Sequence, residues 1–290
     1  MLRWIPKTER ALRAALAQAR RTQRIRWSKS AQPVTVAIVL CDTPQDPRST
    51  LDHLARLAFD HIIVFASTRP DGLRQSDLWV PAILPDLPHH SAAVNAVLAS
   101  VPRGTWVHYG YASERLYYPK HETRSLRDLI RFTQSAERLS IQGVVVDCYA
   151  HDGHLMADRG TYHAEPRQLH RSSIDTSPKV KRFYGGLRSR FAAHLPPESL
   201  RIDRPALIQS HPRHFLLPSG QFSRPALHSF ANHRGPAPVA TILSQRAEWI
   251  LTHNYAVASS ADLLCESSHK INPATDALIE AGLMSHGCWI

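Results

Sequence analysis

Short apolar runs alternate with amphipathic stretches through the first half of the chain. Pro33 leads into Val34 to Leu40, an unbroken apolar and β-branched run that reads as a strand buried on both faces. A polar turn from Cys41 to Pro47 precedes a helical pattern from Ser49 to Ala58. His61 to Phe65 is a second buried strand, closed by the turn-forming residues Ser67 to Gly72. Ser91 is placed to cap a helix that carries Ala92, Val94, Ala96, Val97 and Val101, and Trp106 to Tyr109 reads as a third strand. Ser125 caps a further helix (Leu126, Leu129, Ile130), and Ile141 to Tyr149 makes a fourth strand. This alternation predicts parallel βαβ units and an α/β fold, with a mixed, mostly parallel sheet flanked by helices.

The second half is less regular. Residues 150–182 are rich in His, Arg and Ser with little periodicity, and read as a long loop or lid. Pro236 to Tyr255 carries Val239, Ile242, Leu243, Ala247, Ile250 and Leu251 at helical spacing, and Asp276 to Leu283 is a final short helix. Neither an internal repeat nor a low-complexity linker interrupts the chain, so residues 31–290 read as one domain behind an arm, 1–30.

Charge sharpens that division. The whole chain of 290 residues is +11, yet residues 1–30 hold nine basic side chains and one acid, net +8. The other 260 residues hold 26 basic and 23 acidic side chains, net +3. Within the arm Thr8 is placed to cap a helix that runs to about Arg24, with Leu12, Ala15, Leu16 and Ala19 on one face, flanked by Trp4, Ile5, Ile25 and Trp27. Arginines beside interfacial tryptophans point to an anionic membrane surface, and a helix packed on the body by a thin stripe is the competing reading. A nucleic-acid partner is the less favoured use of the same charge, because the body is nearly balanced. No apolar run reaches the roughly 18–20 residues of a membrane span, and the first residues lack the apolar core of a signal peptide. Cys41, Cys148, Cys265 and Cys288 lie far apart, as reduced thiols of a cytoplasmic protein do.

GxGxxG, GxxxxGK[ST] and GxSxG are all missing, so dinucleotide oxidoreductase, P-loop and serine-hydrolase readings have no motif behind them. The paired histidines (His89-His90, His151/His154, His211/His214, His228/His233) never form HExxH, which leaves a zinc reading weak.

Several segments carry a likeness. They are Val34 to Leu40 with the following Leu51 to Leu57; Asp60 to Phe65 with its turn ending Asp71-Gly72; and His90 to Ala96, which contains Asn95. The series continues with Trp106 to Pro119, Asp147-Cys148-Tyr149, Tyr184 to Arg190, Ala226 to Phe230 and Ala281 to Met284. Together they resemble the family-2-like GT-A glycosyltransferases over roughly residues 33–285. The resemblance implies a GT-A (Rossmann-like) fold that transfers a sugar from a nucleotide-sugar to a glycan or lipid-linked acceptor. The cysteines and the basic arm point to a cytoplasmic protein, peripheral at the inner face of the membrane.

By the same resemblance, the family's two metal-holding aspartates fall on Tyr111 and Ser113, and only the following acid, Glu114, is kept. The group's Mn²⁺ or Mg²⁺ wants hard anionic oxygens, which Tyr and Ser do not supply. Three readings follow: a catalytically inactive binding or regulatory protein, a metal-independent transferase, or a metal held by Glu114 with another acid. Arg188 and Arg190, after the Gly185-Gly186 turn, are suited to the diphosphate. Asp42 and Asp71, at the carboxyl ends of the first two strands, lie where open α/β sheets bind nucleotides. Asn95, Tyr111, Ser113, Glu114 and His228 complete the expected nucleotide-sugar set. Asp147 and Asp152 are the acids available to activate an acceptor.

Overall fold

The computed structural model describes residues 7–25, 27, 33–150, 162–164, 171–174, 181–195, 197–224, 240–253, 257, 259–265, 268–271, 274–281 and 283–284. The helices are α1 (Lys7–Thr22), α2 (Arg48–Arg56), α3 (Leu87–Leu98), α4 (Leu126–Ser135), α5 (Gly186–Arg190), α6 (Arg246–His253) and α7 (Thr275–Glu280). The first strands are β1 (Thr35–Leu40), β2 (His61–Ala66), β3 (Leu78–Pro81), β4 (Trp106–Tyr111), β5 (Glu114–Tyr117) and β6 (Ser140–Asp147). After them come β7 (Tyr149–Ala150), β8 (Tyr162–Ala164), β9 (Arg171–Ile174), β10 (Lys181–Tyr184), β11 (Asp203–Gln209), β12 (Ala240–Ser244) and β13 (His269–Ile271). The protein is α/β, with helices flanking a mixed eight-stranded sheet in the order β3-β2-β1-β4-β11-β6-β12-β5. Two compact units divide the chain: Met1–Ala112 with Leu207–Pro225, and Ser113–Ala206 with Ala226–Ile290.

In the first unit β3, β2, β1 and β4 are parallel neighbours. Every residue of β1, β2 and β4 is buried, which is why these runs are continuously apolar rather than alternating. The chain steps from β1 to β2 to β3 in one direction, then α3 carries it back to β4 on the other side of β1. That reversal places a topological switch point between β1 and β4.

Helix α1 belongs to this unit. Leu12, Leu16 and Ala19 are buried in the same core cluster as Val94, Val97 and Leu98 of α3 and Val80 of β3. Each buried leucine contributes about 1.5–3 kcal/mol. Glu9 is also buried, and Arg13 offsets its charge at 2.7 Å. Gln23 grips the backbone of Trp79 from both sides of its amide (2.9 and 3.3 Å), and the Trp27 indole N–H donates to the Ser100 carbonyl at 2.9 Å. The apolar stripe of the arm is thus spent on the body.

Helix α3 starts earlier than its apolar pattern: Asp86 caps it, accepting from His89 N–H at 3.0 Å, and Pro88 lies in its first turn. Ser91 is one turn inside, donating its hydroxyl to the Pro88 carbonyl at 3.0 Å.

In the second unit β6 and β12 are parallel and β5 runs antiparallel to β12. Ser125 does cap α4, in a reciprocal pair with Asp128. The window 236–255 is corrected: Ala240–Ser244 is a strand, and the helix begins only at Arg246. Ile242 and Leu243 find partners on both β6 and β5, so tertiary pairing overrides the apparent helical spacing. Residues 150–182 are corrected too, since β8, β9 and the first residues of β10 fall there as strands of three or four residues. Strands β3, β5 and β11 were not anticipated. Pro81, Glu114-Arg115 and Asp203-Arg204-Pro205 disguise them as loop sequence.

Candidate functional site

The switch point of the first unit gathers three of the expected residues or their neighbours. Asp42 follows the carboxyl end of β1, Tyr111 ends β4, and His90 sits in the first turn of α3. The Tyr111 hydroxyl lies 3.3 Å from His90 Nδ1, with the two rings edge to face at 5.3 Å. His90 Nε2 is 3.2 Å from the Leu84 carbonyl and 3.9 Å from Asp42 Oδ2. Nε2 faces two oxygens and therefore carries the ring proton, which leaves Nδ1 to accept from Tyr111. All three side chains are almost completely shielded from solvent. Thr50, in the first turn of α2, donates to the Ala112 carbonyl at 2.6 Å and ties that helix to the end of β4. Burial, then the charges of Asp42 and Asp46, push the neighbouring Cys41 thiol up to about 12.

Asp71 and Asn95 do not join this group. Asp71 is exposed, in a turn where Gly72 supplies a φ of +82° that other residues adopt only with strain. Asn95 is buried in α3 and clamps the backbone of Leu216, donating to its carbonyl at 2.8 Å and accepting from its N–H at 2.7 Å.

The other expected residues lie in the second unit, at the carboxyl ends of β6 and β12. Register sets Glu114 opposite Ser244 and Ser244 opposite Asp147, a row across three strands. Each carboxylate in the row is buried against an arginine. Glu114 accepts from Arg204. Both Asp147 oxygens lie 2.9 Å from Arg188 Nε. Arg188 also donates to the carbonyls of Ser199 (2.8 Å) and Arg201 (3.1 Å). Arg190 donates to the Leu263 carbonyl and stacks over the Phe191 ring at 4.8 Å. The Ser113 carbonyl receives Gln245 N–H at 3.2 Å, and the Gln245 side chain reaches Glu248 at 3.1 Å. Asp152 and His228 lie outside the described residues.

Among the described residues no group of three or more His, Cys, Asp or Glu gathers around a common point as a divalent ion requires. Glu114, the acid expected to hold Mn²⁺ or Mg²⁺, has Arg204 against it, so an ion there competes with a guanidinium. His211 and His214 do meet, with ring centroids 5.0 Å apart. Burial lowers the pKa of His214, against the opposing effect of its contact with the Gln209 carbonyl, and burial with nearby arginines lowers that of His211.

The sequence marks His90 as half of a histidine pair and as the start of the segment to Ala96, but gives it no role, and it does not mark Arg204, Gln245 or Glu248. Their partners stand far away in the chain, and spacing carries no trace of them. Comparison with protein-family models and with curated protein sequences finds no match. Among the described residues no helix is long and apolar enough to cross a membrane.

Proposed function

We propose that the protein binds a nucleotide-sugar at the switch point of its first unit and transfers the sugar to a hydroxyl-bearing glycan or lipid-linked acceptor, in the manner of a GT-A glycosyltransferase. The observation that carries this reading is the meeting of Asp42, His90 and Tyr111 where β1 and β4 diverge, the crevice in which open α/β sheets hold nucleotides. The amino ends of α2 and α3 lie toward the same ends of the strands, and their peptide dipoles favour a diphosphate. Asp42 is the acceptor for ribose or base donors. The Tyr111 hydroxyl, turned from His90, is the donor offered in place of a carboxylate pair with its ion.

In the transfer itself the acceptor oxygen bonds to the anomeric carbon, the bond from that carbon to the diphosphate oxygen breaks, and the acceptor proton passes to a carboxylate. In the second unit both oxygens of Asp147, the acid that the sequence offers for such a proton, are engaged by Arg188.

That same engagement favours a second reading, in which the unit binds nucleotide-sugar without turning it over. Calorimetric titration with nucleoside diphosphates and nucleotide-sugars, with and without Mn²⁺, tests the shared premise. Asp42→Asn and Tyr111→Phe are expected to weaken binding by about tenfold each, the scale of one hydrogen bond to a charged group. No binding by any nucleotide, or unaltered binding in both variants, refutes the site. Release of nucleoside diphosphate in the presence of acceptor glycans separates transferase from binding protein.

A further inference from the structure

We propose that the outward face of α1 is a docking surface for an anionic, phosphate-bearing lipid surface, independently of the nucleotide site. Lys7, Arg10, Ala14, Ala17, Arg21 and Arg24 follow one another at alternating spacings of three and four, and all six are exposed. Within the helix that spacing lines up Lys7, Arg10, Ala14, Ala17 and Arg21 as a single stripe, and Arg24 stands just beyond its end. The opposite face (Leu12, Leu16, Ala19) is fixed in the first unit, so the stripe is held rigidly outward. The one acid of the helix, Glu9, is buried and paired with Arg13. Among the described residues no carboxylate lies within ion-pair distance of Lys7, Arg10, Arg20, Arg21 or Arg24.

Helix stability does not account for this arrangement. Lys7 and Arg10 stand at the amino end, where the helix dipole disfavours cations. Arg24 adopts φ +55° just beyond the carboxyl end, with Ile25 N–H bonded back to the Arg20 carbonyl at 3.0 Å. Glycine serves that position best, and an arginine there carries strain.

The stripe ends in an open groove of about 580 Å³ lined by Ala17, Arg20, Arg21, Arg24 and Ile25. Arg20 Nε is buried there with no hydrogen-bond partner among the described residues. Three guanidinium groups suit a phosphate, and Ala17 and Ile25 give the carbon atoms attached to it an apolar floor. The alternative polyanion, a single-stranded nucleic acid, asks for an aromatic platform on which bases stack. Trp27 does not offer one: Arg20 covers its ring face at 4.4 Å, His61 meets it edge to face at 5.3 Å, and its N–H is given to Ser100.

The test is flotation of the full-length protein with vesicles of phosphatidylglycerol and phosphatidylcholine in equal parts, against phosphatidylcholine alone. Binding only to the anionic vesicles is expected. Arg24→Gly relieves the strained turn, so its thermal midpoint should hold or rise while vesicle affinity falls by about fivefold. Arg10→Ala with Arg21→Ala should lower affinity by about 25-fold. Equal binding to neutral vesicles, or wild-type affinity in both variants, overturns the proposal. So does a single-stranded oligonucleotide that binds more tightly than the anionic vesicles at the same salt and displaces the protein from them.

Discussion

Replacing Asn95 by alanine separates a structural from a ligand-binding use of this residue. Its carboxamide closes a two-bond clamp on the Leu216 backbone at 2.8 and 2.7 Å, and both residues are buried. Truncation removes two hydrogen bonds and strands a buried N–H and a buried carbonyl that water does not readily reach. Each stranded group costs about 1–3 kcal/mol, so the expected loss is about 2–4 kcal/mol after partial relaxation. Asn95→Asp keeps the acceptor for Leu216 N–H but sets a carboxylate oxygen against the Leu216 carbonyl, and should destabilise by a similar amount. Equilibrium urea unfolding of wild type and both variants measures the loss. Nucleotide titration of the folded variants at low temperature measures the other possibility, and affinity should stay at the wild-type value. A change in stability below about 0.5 kcal/mol accompanied by lost nucleotide affinity refutes the reasoning, because the amide would then face a ligand and not Leu216.

Two further outcomes follow from titrating groups. Burial lowers the pKa of His121, outweighing the opposing pulls of Glu122 and the Tyr118 backbone, and burial lowers that of His214. A histidine lowered in this way binds fewer protons folded than unfolded. Its contribution is therefore whole above its ordinary value near 6.5 and is lost as pH falls below it. Thermal midpoints should drop between about pH 7 and pH 5, less steeply in His121→Gln, and equal slopes in the two proteins would contradict this. At Cys41, pushed up to about 12 from an ordinary value of 9.0, the thiolate fraction at mild alkaline pH is about a thousandfold below that of a free thiol. Iodoacetamide should leave Cys41 unmodified in the native protein and alkylate it in urea, and rapid native labelling would refute the raised pKa.

The parallel core was legible because its strands are buried on both faces. Val36 to Leu40 and Ile62 to Phe65 face apolar neighbours above and below, so nothing polar interrupts them and the pattern is unmistakable. The second unit was harder to read. Strand β5 opens with Glu114 and Arg115, both buried, and β11 with Asp203 and Arg204. Charges satisfied by an arginine, Arg204 for Glu114 and Arg201 for Asp203, look like loop residues when read in one dimension. The site was legible in the same proportion. Asp42 could be placed from a strand end alone, and Tyr111 only through the resemblance, since the apolar pattern ends the third strand at Tyr109. His90 reaches them because α3 begins at the Asp86 cap, four residues before it, which the apolar pattern did not mark.

The buried pairs of the second unit bear on which of its residues a nucleotide could engage. Residue type alone assigns acids to a cation and arginines to a phosphate, yet here Glu114 and Asp147 are matched to Arg204 and Arg188. Removing one partner from a buried pair costs about 3–5 kcal/mol, because the other charge is left without compensation. A phosphate that takes Arg188 must replace what Asp147 gives it, and the carbonyls of Ser199 and Arg201 hold the same guanidinium in place. A cation that takes Glu114 meets the same obstacle in Arg204. The pairs are self-sufficient as they stand, and a ligand engaging them must contribute their full value before it gains affinity. The described contacts at the switch point of the first unit are of a different kind. The Asp42–His90 contact is long, at 3.9 Å, and the Tyr111 hydroxyl is turned from His90 to a ligand by rotation of one C–O bond. The cost of breaking these pairs is what weighs against Arg188 and Glu114 as the first contacts of the proposed nucleotide.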